Sequence, residues 1–298
     1  NRVTEEEQRL ASSGQLYDDP ELEAYVNQVA RLLVPESVKP TALSFQVKIL
    51  SNPLLNAFAY PNGVIYVHTG ILAKMENEAQ LATLLGHEMT HAIHRHAIKG
   101  QRSMKNTTAV VAGVQTLLAP LGPYGGGLIG LLGHVGTMAA ITGYSRELEV
   151  DADTEGLARM VAAGYAPAES PKLFQFLKRD VAQHQLKEPF FFGTHPRLQD
   201  RIDSYASLLA HRYEGQGGRL NTERFHSQVQ RLWLDNASLD LALGRFGSAL
   251  AGITRVLQRT PTHAKAHAAL GELYRQRQGP GDNGRAEEAF KQALALDD

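Results

Sequence analysis

Residues 77–91 read NEAQLATLLGHEMTH, and the run closes on His87-Glu88-Met89-Thr90-His91, a pentapeptide of the form HExxH. On a helix, positions i and i+4 lie on one face about a turn apart, so His87 and His91 can reach one metal ion together. Glu88 stands beside the first of them, angled to hold a water rather than the metal. Two imidazoles, a neighbouring carboxylate and a Lewis acid are what hydrolysis of a peptide bond by an activated water requires. The chain has 12 histidines, and a chance match is the competing reading of so short a motif.

The surroundings favour the metal. Asn77 and Gln80 are spaced as a capping box, and a helix is predicted from Asn77 to Lys99. Leu81, Leu84, Leu85, Met89, Ala92 and Ile93 recur with helical spacing, which gives that helix a buried stripe. Lys99 followed by Gly100 offers a cation in the last turn and a left-handed stop. Two histidines and a glutamate beside an apolar stripe are costly to bury without a partner, and a metal ion is one.

A tetrahedral catalytic zinc takes a third protein ligand and leaves its fourth position open. Glu149 is the best candidate, on a second helix capped by Ser145 and ending around Ala163, Gly164 and Pro167. Glu149, Asp153 and Gly156 fall on one face, and the small residues Ala152 and Gly156 would let this helix approach the first one closely. A solvated acidic face has the same spacing. Glu147, Asp151 and Glu155 are read that way, and spacing alone leaves Glu149 open between the two readings.

Four stretches in order resemble one known family: Asn56 to Gly70, His87 to His91, Ser145 to Asp153, and Thr194-His195-Pro196. The resemblance is to the gluzincin metallopeptidases that include the CAAX prenyl protease and the HtpX heat-shock protease, and it covers about residues 20–205. It implies one Zn2+ per chain held by His87, His91 and Glu149, with Glu88 as general base. Asp153 matches the acid that fixes a ligand histidine's ring and tautomer. His195 matches the histidine of a His-Pro motif, either donating to the oxyanion or occupying the fourth zinc position in a resting, self-inhibited form. Arg201 matches an arginine that follows this motif and is read as structural. His96 has a counterpart in the pattern and His94 does not; neither is expected to bind zinc.

Leu43, Phe45, Val47 and Ile49 alternate with polar residues as a half-buried strand. Pro61-Asn62-Gly63 reads as a turn leading into a second strand, Val64 to His68. In folds like this family's, an edge strand above the zinc helix takes up the peptide by adding it to the sheet. The expectation here is an antiparallel sheet whose edge is Val64–His68, with Asn56, Val64, Ile65, Tyr66 and Val67 binding substrate.

Between the ligand helices, Thr107 to Thr142 is apolar and glycine-rich, but Pro120, Gly122, Pro123 and Gly125 to Gly127 interrupt it. A spanning helix needs about 20 unbroken apolar residues. Two short helices forming a lid or membrane-facing flap are expected instead, which leaves room for peripheral membrane contact. The prenyl protease does span a membrane, so a lipidated CAAX-type substrate is not expected.

A net charge of −1 over 298 residues argues against a nucleic-acid partner, and the absence of cysteine excludes disulfides and thiolate zinc sites. The chain begins at Asn1 without a hydrophobic leader, as a mature secreted protein would. Towards the C-terminus, Trp233 and His267 lie 34 residues apart, the tetratricopeptide period. Phe246, Ala249, Ile253, Val256 and Pro261 follow the first, and Leu270, Gly271, Tyr274, Ala286, Ala289, Phe290 and Ala293 follow the second, with an insertion at Gly279–Gly284. Two ordinary helical hairpins would look similar.

The expected fold class is α+β: a mainly helical zincin-like peptidase at 1–210 with a small antiparallel sheet, then an α-helical, incomplete repeat segment at 211–298. A peptidase followed by such repeats resembles periplasmic members of the family in Gram-negative bacteria. That implies unfolded or misassembled protein substrates, outer-membrane quality control, and repeats that recruit the assembly machinery. The alternative is a chaperone or repeat-mediated binding protein with a latent, His195-blocked zinc. Glu88 favours the enzyme, because a structural zinc needs no base beside its ligands.

Overall fold

In a computed structural model, residues 12, 14–36, 44–96, 144–184 and 198–297 are described. The expected lid at 107–142 and His195 lie outside them. The chain divides into two compact units, Asn1–His226 and Ser227–Asp298.

The first unit opens with helix α1 (Pro20–Leu33), capped by Asp19, whose side chain accepts from Leu22 N–H. Strands β1 (Gln46–Leu50), β2 (Ala57–Ala59) and β3 (Val64–His68) follow, then a short helix α2 (Thr69–Lys74). Helix α3 (Glu78–Ile93) carries the HExxH motif, and α4 (Arg146–Ala162) carries Glu149. Helix α5 (Glu169–His184) packs beside α3, and α6 (Leu198–Arg212) packs beside α4 and α5.

The sheet corrects two expectations. It is mixed rather than antiparallel, in the order β1-β3-β2: β3 runs parallel to β1 and antiparallel to β2. The turn at Pro61–Gly63 makes β2 and β3 a hairpin. The segment between β1 and β2 carries the chain past the place where β3 inserts. Val64–His68 is therefore the central strand, not an edge. Val64, Ile65, Tyr66 and Val67 are buried with both flanks in ladders, so they cannot add a peptide. The outer side of β1 is closed too, since the Asn27 side chain bonds both Val47 N–H and Val47 C=O at 2.8 Å. Tyr17 N–H adds a bond to the Ile49 carbonyl. Among the described residues the edge without a ladder partner is β2, whose three residues are themselves buried. Asn56, Phe58 and Tyr60 pair towards β3, so the main-chain groups of Ala57 and Ala59 turn away from the sheet.

Helix α3 begins where expected, with the Asn77 side chain accepting from Gln80 N–H at 3.0 Å. Gln80 Oε1 accepts from Glu76 N–H, one residue further back than a capping box places it. Glu169 at the start of α5 accepts from Asn77, Gln80 and Lys172, locking the two helix starts together. The first residue of α3, Glu78, is fully buried and accepts from Tyr25 Oη at 2.6 Å, Tyr165 Oη at 2.7 Å and Asn221 Nδ2 at 2.6 Å. Its N–H bonds the Leu220 carbonyl, while Arg219 pairs through its main chain with Gly164 and Ala166. This is why the first unit continues past α6: residues 219–221 are pinned to the peptidase core. The helix ends earlier than expected, at Ile93, with His94 as its cap and Arg95 in left-handed backbone at φ +51.

Helices α3 and α4 meet backbone to backbone at Gly86 and Gly156. A Cβ on Gly156 would lie 2.7 Å from the main-chain nitrogen of His87, and one on Gly86 would lie 2.8 Å from the Gly156 carbonyl oxygen. No side chain other than hydrogen fits there, and the predicted small face of α4 is in place.

The second unit comprises most of α7 (Thr222–Ala242), then α8 (Phe246–Arg259), α9 (Ala264–Arg277) and α10 (Asp282–Ala295). Each successive pair of the last three packs together, and Trp233 is 1% exposed, with Arg255 over its ring. The insertion at 279–284 forms the start of α10. There Asp282 accepts from Gly279 N–H and from the Arg277 guanidinium.

Gly156→Ala is expected to push α3 and α4 apart at a cost of about 1–3 kcal/mol, read by urea unfolding; unchanged stability would refute the contact. Glu169 supplies a pH test. Burial pushes its carboxyl up, but Lys172, Asn77 and Gln80 outweigh this and hold it below its ordinary 4.5. A depressed folded value means the ionised group stabilises above the unfolded pKa and loses that effect as pH falls through the folded one. Glu169→Gln should thus lower the urea midpoint at about pH 7, and the gap should close below about pH 4.

Candidate active site

The site is built where α3 and α4 touch. His87 and His91 project from one face of α3, with their Nε2 atoms 2.9 Å apart. Glu149, in the first turn of α4, presents Oε1 at 3.4 Å from His91 Nε2 and Oε2 at 3.7 Å from His87 Nε2. Among the described residues, these three form the cluster whose donor atoms could hold one metal ion, and all three are buried. Glu149 therefore faces inward, whereas Glu147 and Asp151 face solvent as expected. Glu88 is fully buried next to His87.

A second layer holds these groups. His87 Nδ1 donates to Asp153 Oδ1 at 2.9 Å, leaving the Nε2 lone pair for the metal side. Asp153 also accepts from Tyr205 Oη at 2.9 Å and from two nitrogens of Arg201, Nε at 3.0 Å and Nη2 at 2.5 Å. Arg201 Nη2 and His87 Nδ1, 2.9 Å apart, share that acceptor. Arg201 Nη1 lies 3.4 Å from Glu149 Oε2, and its guanidinium stacks on Phe174 at 4.0 Å. Burial tends to raise the Asp153 carboxyl, and Arg201 and His87 reverse this to hold it low. Burial and the Arg201 charge lower the His87 pKa despite its carboxylate neighbours, keeping the ring neutral as a ligand must be.

Arg201 is thus more than the structural residue expected from sequence, since it joins the third ligand to the acid behind the first. Tyr205 was missed; its signal is the four-residue spacing that places it on Arg201's face of α6. Tyr144, also missed, stacks on His91 at 3.8 Å and 15°. Burial, then the charges of Glu88 and Glu149, push its hydroxyl pKa well up. His94 turns away to Glu155, with Nε2–Oε1 at 2.9 Å. Asn56 is fully buried, and among the described residues neither atom of its side-chain amide has a hydrogen-bond partner. Val64 to Val67, expected at the substrate, lie inside the sheet.

The residues fit zinc. Two neutral imidazole nitrogens and one carboxylate oxygen form the donor set of an open, catalytic zinc position. Glu149 and Asp153 are buried around one guanidinium, with Glu88 buried beside His87, so three carboxylates facing one fixed cation leave an excess negative charge that a dication offsets. Arg201→Gln should cost about 3–5 kcal/mol in urea unfolding, because it leaves buried carboxylates unpaired. Arg201→Lys should recover only part of this, lacking the bidentate fork; full stability in either variant would contradict the assignment.

Residues 18–208 match the profile of peptidase family M48. The chain is 29% identical over 198 residues to the β-barrel assembly-enhancing protease of Escherichia coli (strain K12), covering 65% of this chain and 40% of that one. It is 29% identical over 204 residues to the mitochondrial metalloendopeptidase OMA1 of Schizosaccharomyces pombe, covering 68% and 56%. Against the Danio rerio mitochondrial metalloendopeptidase OMA1 it is 31% identical over 194 residues, covering 62% and 40%. The chain thus spans from about two fifths to just over half the length of these relatives. With the family profile running across the sheet, both ligand helices and most of α6, the chain belongs to peptidase family M48.

Proposed function

We propose that this protein is a zinc-dependent endopeptidase. The observation that carries the reading is the buried cluster of His87, His91 and Glu149 with Glu88 beside it. Zinc supplies the Lewis acidity that makes water nucleophilic near neutral pH and polarises a carbonyl. Glu88 takes the proton of the attacking water and passes it to the leaving amine. Asp153 keeps His87 in the tautomer that presents Nε2, and Arg201 holds Asp153 and Glu149 in place. His195 is the further candidate donor to the oxyanion.

The substrate strand of this reading is β2 rather than β3. On its outer edge the main-chain groups of Ala57 and Ala59 have no ladder partner among the described residues, although both residues are buried and a peptide must displace what covers them; β2 packs against the zinc helix. An extended peptide added there would run past Asn56, the residue before β2, whose side-chain amide has no hydrogen-bond partner among the described residues. Main-chain pairing of this kind favours unfolded segments without strict sequence preference.

Likeness to the β-barrel assembly-enhancing protease supports a role in the periplasm of a Gram-negative bacterium, on misassembled outer-membrane proteins. The second unit is read as tetratricopeptide-like repeats that recruit substrate or assembly machinery, on the 34-residue spacing of Trp233 and His267. Among the described residues no helix is long and apolar enough to cross a membrane.

The test is cleavage of an unfolded outer-membrane β-barrel protein, or of casein, by wild type and Glu88→Gln with zinc measured in both. Wild type should cleave, and Glu88→Gln should retain zinc but lose activity by a factor of at least about 100. Full activity in Glu88→Gln would refute the base. Zinc in both with cleavage by neither would favour the binding-protein reading.

A further inference from the structure

Helix α3 stops within a turn of its second zinc histidine. His94 N–H bonds the Thr90 carbonyl at 3.0 Å, and Arg95, at φ +51, bonds the Ala92 carbonyl at 3.1 Å. Left-handed backbone is disfavoured at a residue other than glycine, and where it persists the surrounding structure must over-determine it. What this turn achieves is local. It swings His96 back so that its Nδ1 lies 2.9 Å from Nδ1 of His91. The two rings are 5.0 Å apart at 75°, and their exposures are 1% and 2%. On its other side His96 stacks on His94, which is anchored to Glu155.

A bond between two ring nitrogens needs one proton. His91 presents Nε2 to Glu149 and His87 in the ligand cluster, so its proton resides on Nδ1. The Nδ1 of His96 must then accept with its lone pair, which makes His96 neutral with its own proton on Nε2. The partner of His87 is different: an ionised carboxylate, Asp153, itself held by Arg201 and Tyr205. A carboxylate behind His91 would add negative charge to a pocket that already buries Glu88, Glu149 and Asp153. A neutral ring orients the ligand without that charge.

We propose that His96 is a positioning residue of the metal site: it accepts the Nδ1 proton of His91, fixing that ligand's tautomer and ring angle without ligating zinc itself. The inference rests on the reading of His87, His91 and Glu149 as the zinc ligands. Outer partners of metal-bound histidines change affinity about 10–100-fold when removed.

The test is zinc affinity, by competition with a chelator, for the whole chain as wild type, His96→Phe and His96→Asn. His96→Phe keeps a ring but has no acceptor, whereas Asn places Oδ1 where Nδ1 was. His96→Phe should bind zinc about 10–100-fold more weakly, and His96→Asn should bind nearly as tightly as wild type. Wild-type affinity in His96→Phe, or equal weakening in both variants, would overturn the proposal, the second by showing that only ring packing matters. If His96→Phe does not fold, nitrogen-15 NMR of zinc-loaded wild type decides. Scalar coupling between the two Nδ1 atoms across the hydrogen bond is expected, and its absence overturns the proposal. A wild type that binds no zinc would overturn the zinc reading itself, and this inference with it.

Discussion

The contact on which the site depends is between two glycines. Gly86 and Gly156 let α3 and α4 come together with no side chain between their backbones. Glu149 lies two turns before Gly156 on the same face, and His87 directly follows Gly86. The close approach is what brings a carboxylate from one helix within 3.4–3.7 Å of imidazoles on another. A methyl group at the crossing would displace the helices by more than the tolerance of a metal–ligand bond.

Proximity alone would be a liability. Three carboxyl groups and two imidazoles are buried within a few residues of one another, and each would be expensive without a partner. The fold answers this asymmetrically. Arg201 reaches in from α6 and bridges Asp153 and Glu149, whereas His91 is backed by a neutral ring. The positive charge is therefore concentrated behind the first ligand histidine and the third ligand, and the remaining negative charge faces the space between the donor atoms. A dication suits that distribution better than a proton or a water would.

Local signals were legible in the sequence. The caps Asn77 and Ser145, the stop at Gly164 and the small residues opposite α3 could be read from spacing, because each depends on neighbours within a turn or two; the inward face of Glu149 and Asp153 needed the family resemblance, since a solvated acidic face has the same spacing. Strand order could not. Val64–His68 alternates no differently as a centre than as an edge, and only the path of residues 51–63 around it decides which it is. The end of α3 was misplaced because Arg95 adopts a conformation for which glycine is the usual sign. Arg201, nearly fifty residues from Asp153, acts through a contact that no local pattern encodes.

The pinned segment at 219–221 ties the far end of the peptidase unit to the start of its metal-bearing helix. The chain leaving α6 does not go straight into the second unit; it first docks on the buried carboxylate of Glu78, at the N-terminal end of the helix that bears His87 and His91. Arg224 adds to that anchor, with Nε 3.7 Å from Glu78 Oε2 and Nη2 bonded to Gln28 of α1. A chain cut at the end of α6 would keep every ligand yet leave Tyr25 and Tyr165 as the remaining hydroxyl donors to Glu78, with the Asn221 amide gone.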